Sequence, residues 1–300
     1  MMTKHLSHKL KLSEPIDLEK SFYPSFVSTL FRKFDDWWVK IHGYRKGAKI
    51  KVKDNRIFYK GAHLSEVYLW TGLWYNPHNA LAKIKVKKID KIIEAYKGLK
   101  LIISPQDCEL LFITIFLSRR TTYHKNVITW TDMIFNQISS LEDLISFNTR
   151  CICNSYQLKQ LPIASKEYIK KVRHFENLDH WTLRKVLLSI KWVGPKVADA
   201  YLLFAKGITY LAPSDTHYFN FVKRLRLFDF SKIPNKKLCI KYTCTDCPVG
   251  DDCLTGISFK RLNELSGWLQ TVAYVHDKLY CSKKQCVICM FKDICSGVVK

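Results

Sequence analysis

The chain has 300 residues, 47% of them hydrophobic, enough for one large domain or two moderate ones with a continuous core. Its 49 Lys and Arg stand against 26 Asp and Glu, a formal charge of +23; such a surplus points to a polyanionic partner, because each phosphate contact releases condensed counterions. No apolar run reaches the roughly 18 residues of a membrane span, and MMTKHLSHKLKLSE lacks an apolar signal core, so cytoplasm or nucleoid is the expected location. Charge alone favours nucleic acid over a ribosome-associated or merely soluble basic protein without excluding the latter, and says nothing of enzymology.

Strand character dominates from about residue 18 to residue 75. In WWVKIHG and AKIKVKDNRIFYKG apolar and polar residues partly alternate, and Asp54-Asn55 makes a hairpin turn. Helical periodicity follows. Ser104-Pro105 opens PQDCELLFITIFLS with a cap and a proline at the first helical position. Further helices are expected at VITWTDMIFNQI, SKEYIKKVRHF, HWTLRKVLLSI, KVADAYLLFAKG, DTHYFNFVKRL and KRLNELSGWLQTVAYVHD, with loops around 149–163 and 229–238. The expected fold class is mostly α with a small β-rich N-terminal region (α+β), divided into 1–75, a helical 76–238 and a cysteine-rich 239–300.

LRKVLLSIKWVGPKVADAYLLFAKG reads as a helix, a tight turn at Val193-Gly194, and a second helix begun by Pro195. Glycine lets the backbone approach another surface closely, and amides at a helix start form a phosphate site indifferent to base sequence. An ordinary helix–helix connection would look the same. Nineteen residues after Lys196, APSDTHYFNFVKRL puts Ser214 or Asp215 where a helix N-cap belongs.

The segment resembles the helix–hairpin–helix of the endonuclease III superfamily of DNA glycosylases. The pattern L-P-G-V-G-x-K-x-A is met here by Ile190-Lys191-Trp192-Val193-Gly194-Pro195-Lys196-Val197-Ala198, with Trp192 in place of the first hairpin glycine. Lys196-Val197-Ala198-Asp199 is similar to the 8-oxoguanine glycosylase branch. The resemblance implies that Lys196 is the nucleophile and that Asp215, in a V-D-x-H-like motif, is the catalytic carboxylate. It further implies that His217 contacts a phosphate and that Val193 and Gly194 present their backbone to DNA. The residue types suit the chemistry. A neutral lysine can displace a base from its sugar and form a Schiff base, provided burial or cationic neighbours lower its pKa. A carboxylate supports the positive charge that develops on the sugar.

A base inside a duplex must be flipped out to be read. Gln270 and Tyr274 lie at i, i+4 on one helix, an amide and a ring on one face, which by themselves describe a part-buried Gln and a core Tyr. The stretch Gly267-Trp268-Leu269-Gln270-Thr271-Val272-Ala273-Tyr274 resembles the G-W-A-Q-A-V-L-F segment of 8-oxoguanine glycosylases, which implies that Gln270 reads the base edge and Tyr274 stacks on it. IDLEKSFYPSF is similar to the N-terminal pattern of that branch, with Phe26 loosely at the glycine whose carbonyl senses the oxidised purine. Arg119, Arg120 and Thr121 occupy the place of an Asn cluster that fills the gap left by the flipped base. Arg119 and Arg120 are therefore expected at DNA, against the opposite base or as phosphate contacts.

Eight of the 11 cysteines form two quartets of equal spacing, C-x4-C-x2-C-x5-C: Cys239, Cys244, Cys247 and Cys253, then Cys281, Cys286, Cys289 and Cys295. A repeated four-ligand spacing is a metal signal in a reducing compartment, for zinc or for an iron–sulfur cluster. The second quartet is similar in position to the [4Fe–4S] loop of endonuclease III. CTDCPVGDDC in the first resembles the cluster loop of adenine glycosylases, leaving cluster or zinc open there. Cys108, Cys151 and Cys153 are read as packing residues. The resemblances together imply a bifunctional DNA glycosylase/AP lyase for 8-oxoguanine-type lesions. It would be a helix–hairpin–helix fold with two cysteine-quartet metal loops, acting as a monomer on damaged double-stranded DNA. The competing readings are a glycosylase for an oxidised pyrimidine or alkylated base, and a non-catalytic, metal-stapled DNA-binding protein.

Overall fold

The computed structural model of the chain describes residues 8–81, 84–174 and 178–297. Among these, five short strands form one antiparallel sheet: β1 (His8–Lys11), β2 (Phe31–Phe34), β3 (Trp37–Lys40), β4 (Lys49–Lys53) and β5 (Arg56–Lys60), in the order β1-β5-β4-β3-β2. The expected hairpin joins β4 to β5, with Lys53 opposite Arg56. Asp54 and Asn55 both adopt positive φ (50° and 56°), the mirror-image turn whose twist matches that of the strands.

The first strand precedes the expected region, and the start of that region, residues 18–30, is helix and 3-10 turn rather than strand. α1 (Leu18–Phe22) starts at Asp17, whose carboxylate accepts from the Lys20 amide. A 3-10 turn over Phe26–Leu30 starts at Ser25, whose hydroxyl accepts from the Val27 amide. Two such caps turn a sequence of strand-like composition into helix.

The remaining described chain is largely helical: α2 (Leu64–Thr71), α3 (Pro77–Leu81), α4 (Ile89–Ala95), α5 (Cys108–Leu117), α6 (Ile128–Phe135), α7 (Leu141–Ser146), α8 (Tyr156–Tyr168), α9 (His180–Ser189), α10 (Pro195–Lys206), α11 (Thr216–Leu225), α12 (Lys236–Lys241), α13 (Leu254–Leu262) and α14 (Leu265–His276). The mostly α class with a small N-terminal sheet is therefore as expected. Two local expectations change. The loop proposed at 149–163 contains the start of α8, capped by the Ser155 hydroxyl on the Leu158 amide and running through Pro162. The single helix proposed for KRLNELSGWLQTVAYVHD is broken into α13 and α14, with Asn263 at φ 45°. No helix among the described residues is long and apolar enough to cross a membrane.

The chain forms two compact units that are not consecutive segments. One unit takes the chain through Gln106, Thr216–Phe228 and everything from Trp268; the other is Asp107–Asp215 with Asp229–Gly267. The sequence-based division after 75 and 238 does not coincide with these units, because the chain changes unit after Gln106, Asp215, Phe228 and Gly267, where no composition break marks the crossing. In the first unit Phe22 packs on Trp38 with ring centroids 4.3 Å apart, and Trp70 donates to the Ser104 hydroxyl at 3.1 Å. α14 is tied there by the Trp268 indole, which donates to the Leu99 carbonyl at 2.8 Å.

In the second unit α5 is the central helix. Every residue from Leu111 to Leu117 is buried, so the helix is enclosed all round. Each of its large apolar side chains contributes about 1.5–3 kcal/mol by leaving water. Phe112 lies against Tyr168 of α8 with ring centroids 4.3 Å apart, and the Tyr168 and Tyr201 hydroxyls share a hydrogen bond of 2.7 Å. α10, which carries Tyr201, is thereby fixed against α5 and α8.

Candidate active site

The hairpin is built as the motif predicts. Asp179 caps α9, and its carboxylate accepts from the Trp181 and Thr182 amides at 3.0 and 3.1 Å. α9 ends at Ser189, and the Val193 amide closes the turn on the Ile190 carbonyl at 3.2 Å. α10 starts at once, with Gly194 as N-cap and Pro195 in the first turn. Trp192 stands at φ 63°, the left-handed region that favours glycine, and holds that backbone shape at a cost of about 1–2 kcal/mol. Two interactions steady it: the Arg119 guanidinium donates to its carbonyl at 3.2 Å, and the Lys191 ammonium lies 4.6 Å from its ring. Val193, expected to present its backbone to DNA, is instead fully buried with its amide bonded to the Ile190 carbonyl, so of the pair Gly194 is the one left at the surface. A Cβ added to Gly194 would meet nothing within 4 Å, so the start of α10 faces open space.

Lys196 sits in the first turn of α10 and donates to the Ser118 hydroxyl at 3.1 Å. The residue keeps some accessible surface, but its amine is densely surrounded by protein. Burial lowers its pKa; the Asp215 charge opposes this and the Arg119 charge reinforces it. Lys196 and Asp215 are thus close enough to act on each other electrostatically, as the motif pairing implies. Asp215 stands just before α11, its amide donating to the Pro213 carbonyl at 2.8 Å.

Arg119 departs from its expected place at the DNA surface. Its guanidinium is bound inward, to the Phe116 carbonyl (2.8 Å), the Trp192 carbonyl (3.2 Å) and Gln160 Oε1 (2.9 Å), and lies 3.7 Å from the centre of the Phe116 ring. Burial pulls its pKa down to about 10. The Arg119 carbonyl accepts in turn from Gln157 Nε2 at 2.7 Å and the Tyr156 hydroxyl at 3.2 Å. Its neighbour Arg120 is exposed, at φ 48°, and keeps the expected surface position. Ser118 and Gln160 were not identifiable from sequence as site residues, because only the packing of α5 and α8 against the hairpin brings them there.

The first unit holds the residues expected to read the base. Gln270 is 7% exposed and Tyr274 half-buried, one turn apart on α14. The Tyr274 ring meets His217 edge-on at 4.8 Å and Tyr23 at 6.1 Å. His217 Nδ1 is 2.8 Å from Asp277 Oδ2, and Arg224 donates to the other Asp277 oxygen at 3.1 Å. Burial would raise the Asp277 pKa, but its bonds to His217 and Arg224 bring it below the usual carboxylate value. The proposed phosphate contact is therefore an oriented histidine, and Tyr23, Arg224 and Asp277 are members that sequence did not point to. The Phe26 carbonyl accepts from the Thr29 hydroxyl at 2.9 Å, so one lone pair of this loosely aligned group is already used.

The cysteine quartets were expected as metal loops. Among the described residues no group of three or more His, Cys, Asp or Glu side chains converges closely enough to hold a metal ion. The two quartets nonetheless differ. Cys239, Cys244, Cys247 and Cys253 all line one cavity of about 20 Å³, and a Cβ on Gly250 would come within 2.9 Å of the Cys244 carbonyl and 3.1 Å of that of Cys247. That loop is folded so tightly that only glycine fits. In the second quartet Cys289 is buried with Sγ 3.5 Å from His276 Nε2, while Cys286 is exposed. Burial raises the thiol pKa values of Cys239, Cys253, Cys281 and Cys289, and that of Cys244 to about 12. A metal would have to displace those protons, as thiolate-binding metals do. Four thiols per loop are the donor type such a metal takes, and in the first loop all four line one cavity.

Neither a family model nor a curated protein matches this chain in sequence. Its fold is shared with solved DNA glycosylases. MBOgg1, solved with a low-affinity DNA ligand, is 14% identical with a TM-score of 0.69, over 92% of this chain and 97% of that one. The Clostridium acetobutylicum 8-oxoguanine glycosylase/lyase, bound to double-stranded DNA with cytosine opposite 8-oxoG, is 13% identical with a TM-score of 0.68, over 91% and 98%. The 3-methyladenine DNA-glycosylase from Archaeoglobus fulgidus is 11% identical with a TM-score of 0.63, over 90% and 98%.

Proposed function

We propose that the chain is a bifunctional DNA glycosylase/AP lyase that removes an oxidised purine of the 8-oxoguanine type from double-stranded DNA, working as a single chain. The observation that carries this reading is the Lys196 amine. It stands in the first turn after an open hairpin, held below its ordinary pKa by burial, with the Asp215 charge acting on it. A neutral Nζ attacks the anomeric carbon. The new N–C1′ bond forms as the bond to the base breaks, and the base leaves with that electron pair and takes up a proton. The Asp215 carboxylate stabilises the positive charge that builds on the sugar. A proton then passes from Nζ to O4′ as the C1′–O4′ bond opens, O4′ keeping the electron pair of that bond, and the Nζ lone pair forms the C=N bond of a Schiff base. Removal of a C2′ proton expels the 3′ phosphate with the electron pair of its C3′–O bond.

Gln270 and Tyr274 would take the flipped base, by its edge and its face. Arg120, His217 and the backbone at Gly194 would bind phosphates. Cys281, Cys286, Cys289 and Cys295 are proposed to hold a [4Fe–4S] cluster, which when bound would staple the C-terminal segment and take no part in bond breaking. A 3-methyladenine glycosylase shares the fold, so an alkylated base is the second reading. The amide of Gln270 favours the oxidised purine, since cationic bases are met by aromatic and acidic walls.

The test is borohydride trapping on duplexes that each carry one defined lesion. Expected is a covalent adduct with 8-oxoguanine, absent with thymine glycol or 3-methyladenine and lost in Lys196→Gln. Trapping on another lesion would replace the substrate and keep the mechanism. Tight duplex binding with no adduct on any lesion would overturn the enzyme reading.

A further inference from the structure

The first cysteine quartet lies in the same unit as Lys196, and its surroundings contain one feature that a mere tight loop does not need. Arg184 of α9 is 1% exposed and Asp199 of α10 is fully buried. The two form a fork of bonds, Nε to Oδ1 at 2.5 Å and Nη2 to Oδ2 at 3.0 Å. The same Nη2 lies 3.7 Å from Cys239 Sγ, and Arg184 lines the small cavity with all four cysteines. Burying an ion pair costs several kcal/mol of desolvation per ion and is seldom retained for stability alone. Four thiolates around a divalent ion, or around a cluster, are strong acceptors that take hydrogen bonds from neighbouring N–H donors, and an arginine held in place by its own carboxylate is such a donor.

We infer that Cys239, Cys244, Cys247 and Cys253 form a thiolate metal centre in the catalytic unit, with Arg184 as its outer partner, and that Asp199 links this centre to the helix of Lys196. The guanidinium donates to the Cys239 thiolate on one side. On the other it grips a carboxylate three residues beyond Lys196, so the centre and α10 share one rigid bridge. Metal at this site would hold the first turn of α10 in place without touching DNA. The inference deepens the proposed function, but its readouts need neither DNA nor activity.

The experiment measures zinc, iron and acid-labile sulfide in the full-length protein purified without oxygen, alongside Cys244→Ser/Cys247→Ser and Cys286→Ser/Cys289→Ser. Expected is the loss of one metal centre in the first double variant, separable from what the second loses. Zinc alone would make it a single-ion site; iron with sulfide and visible absorbance would make it a cluster. Equal metal content in wild type and the first variant would overturn the site. Arg184→Lys, which keeps a buried cation but loses the fork, should hold metal roughly 10–100-fold more weakly in a chelator competition, the range for lost outer partners. Unchanged affinity would refute the role of Arg184. Hydrogen exchange of the amides at 197–201 should rise when the first quartet is emptied, and unchanged exchange would refute the link through Asp199.

Discussion

Arg119 offers the sharpest test of how the site is tuned, because one guanidinium braces the hairpin and also bears on Lys196. In Arg119→Gln the charge is lost and the shorter amide cannot reach the Phe116 and Trp192 carbonyls and Gln160 together. Three hydrogen bonds from a charged donor contribute about 1.5–3 kcal/mol each. Enclosing the charge works against them: a pKa brought down to about 10 from 12.5 corresponds to roughly 3 kcal/mol. The net loss should be roughly 1–6 kcal/mol, or about 2–4 °C of Tm for each kcal/mol. The second effect is on Lys196, whose pKa is lowered chiefly by burial and further by the Arg119 charge. Without that charge the Lys196 pKa rises, and a smaller fraction of amine is neutral at any pH below it. Single-turnover trapping measured from mildly acidic to alkaline pH should show its rising limb moved to higher pH, with the rate recovered at the alkaline plateau. Arg119→Lys should lose stability yet keep much of the wild-type pH profile. An Arg119→Gln protein with lowered Tm and an unmoved profile would refute the electrostatic role. One with neither change would refute the packing argument too.

Three further outcomes follow from the same geometry. Lys196→Met should raise Tm at neutral pH, because a base whose folded pKa lies below its unfolded value of 10.5 costs stability progressively as pH falls through that window; the gain should vanish above it, and a neutral-pH loss in thermal melts would contradict the burial. Trp192→Gly relieves about 1–2 kcal/mol of left-handed strain and gives back about 0.5–1 kcal/mol in backbone entropy, so stability should stay within about 1 kcal/mol of wild type. A denaturant titration showing a loss well beyond that would mean the indole is a packing element rather than a tolerated substitute. Gln270→Ala should erode discrimination between 8-oxoguanine and guanine duplexes more than duplex affinity, and equal losses in competition binding would remove Gln270 from the pocket.

Much of this was legible in the sequence where local chemistry decides the outcome. The Asp54-Asn55 turn, the proline after Gly194 and the periodic helices each follow from the backbone preferences of the residues involved. The pairing of Lys196 with Asp215 followed from an ordered motif, and the geometry brings those two charges into range. What could not be read depends on distant partners. Arg119-Arg120 looks like two surface cations; only the packing of a carbonyl 73 residues away turns the first inward. Asp277 is unremarkable until His217, 60 residues earlier, is seen bonded to it. The division into units was hidden for the same reason, since Thr216–Phe228 joins the unit that holds the sheet while the rest of its neighbourhood does not.

Those hidden contacts share a logic that bears on how such a site tolerates change. A buried amine must be kept short of its proton, and the simplest means is a second cation that cannot leave. An exposed arginine would be screened by salt and solvent within about 8 Å at physiological ionic strength. Arg119, bonded to three acceptors and set against Phe116, is not free to move away. The same bond that fixes its charge near Lys196 also satisfies the carbonyl of Trp192, whose backbone is held at positive φ. The left-handed turn and the arginine are therefore expected to be coupled. In a double-mutant cycle Trp192→Gly should recover part of the stability lost in Arg119→Gln, whereas simple additivity would mean that the hairpin and the arginine are braced independently.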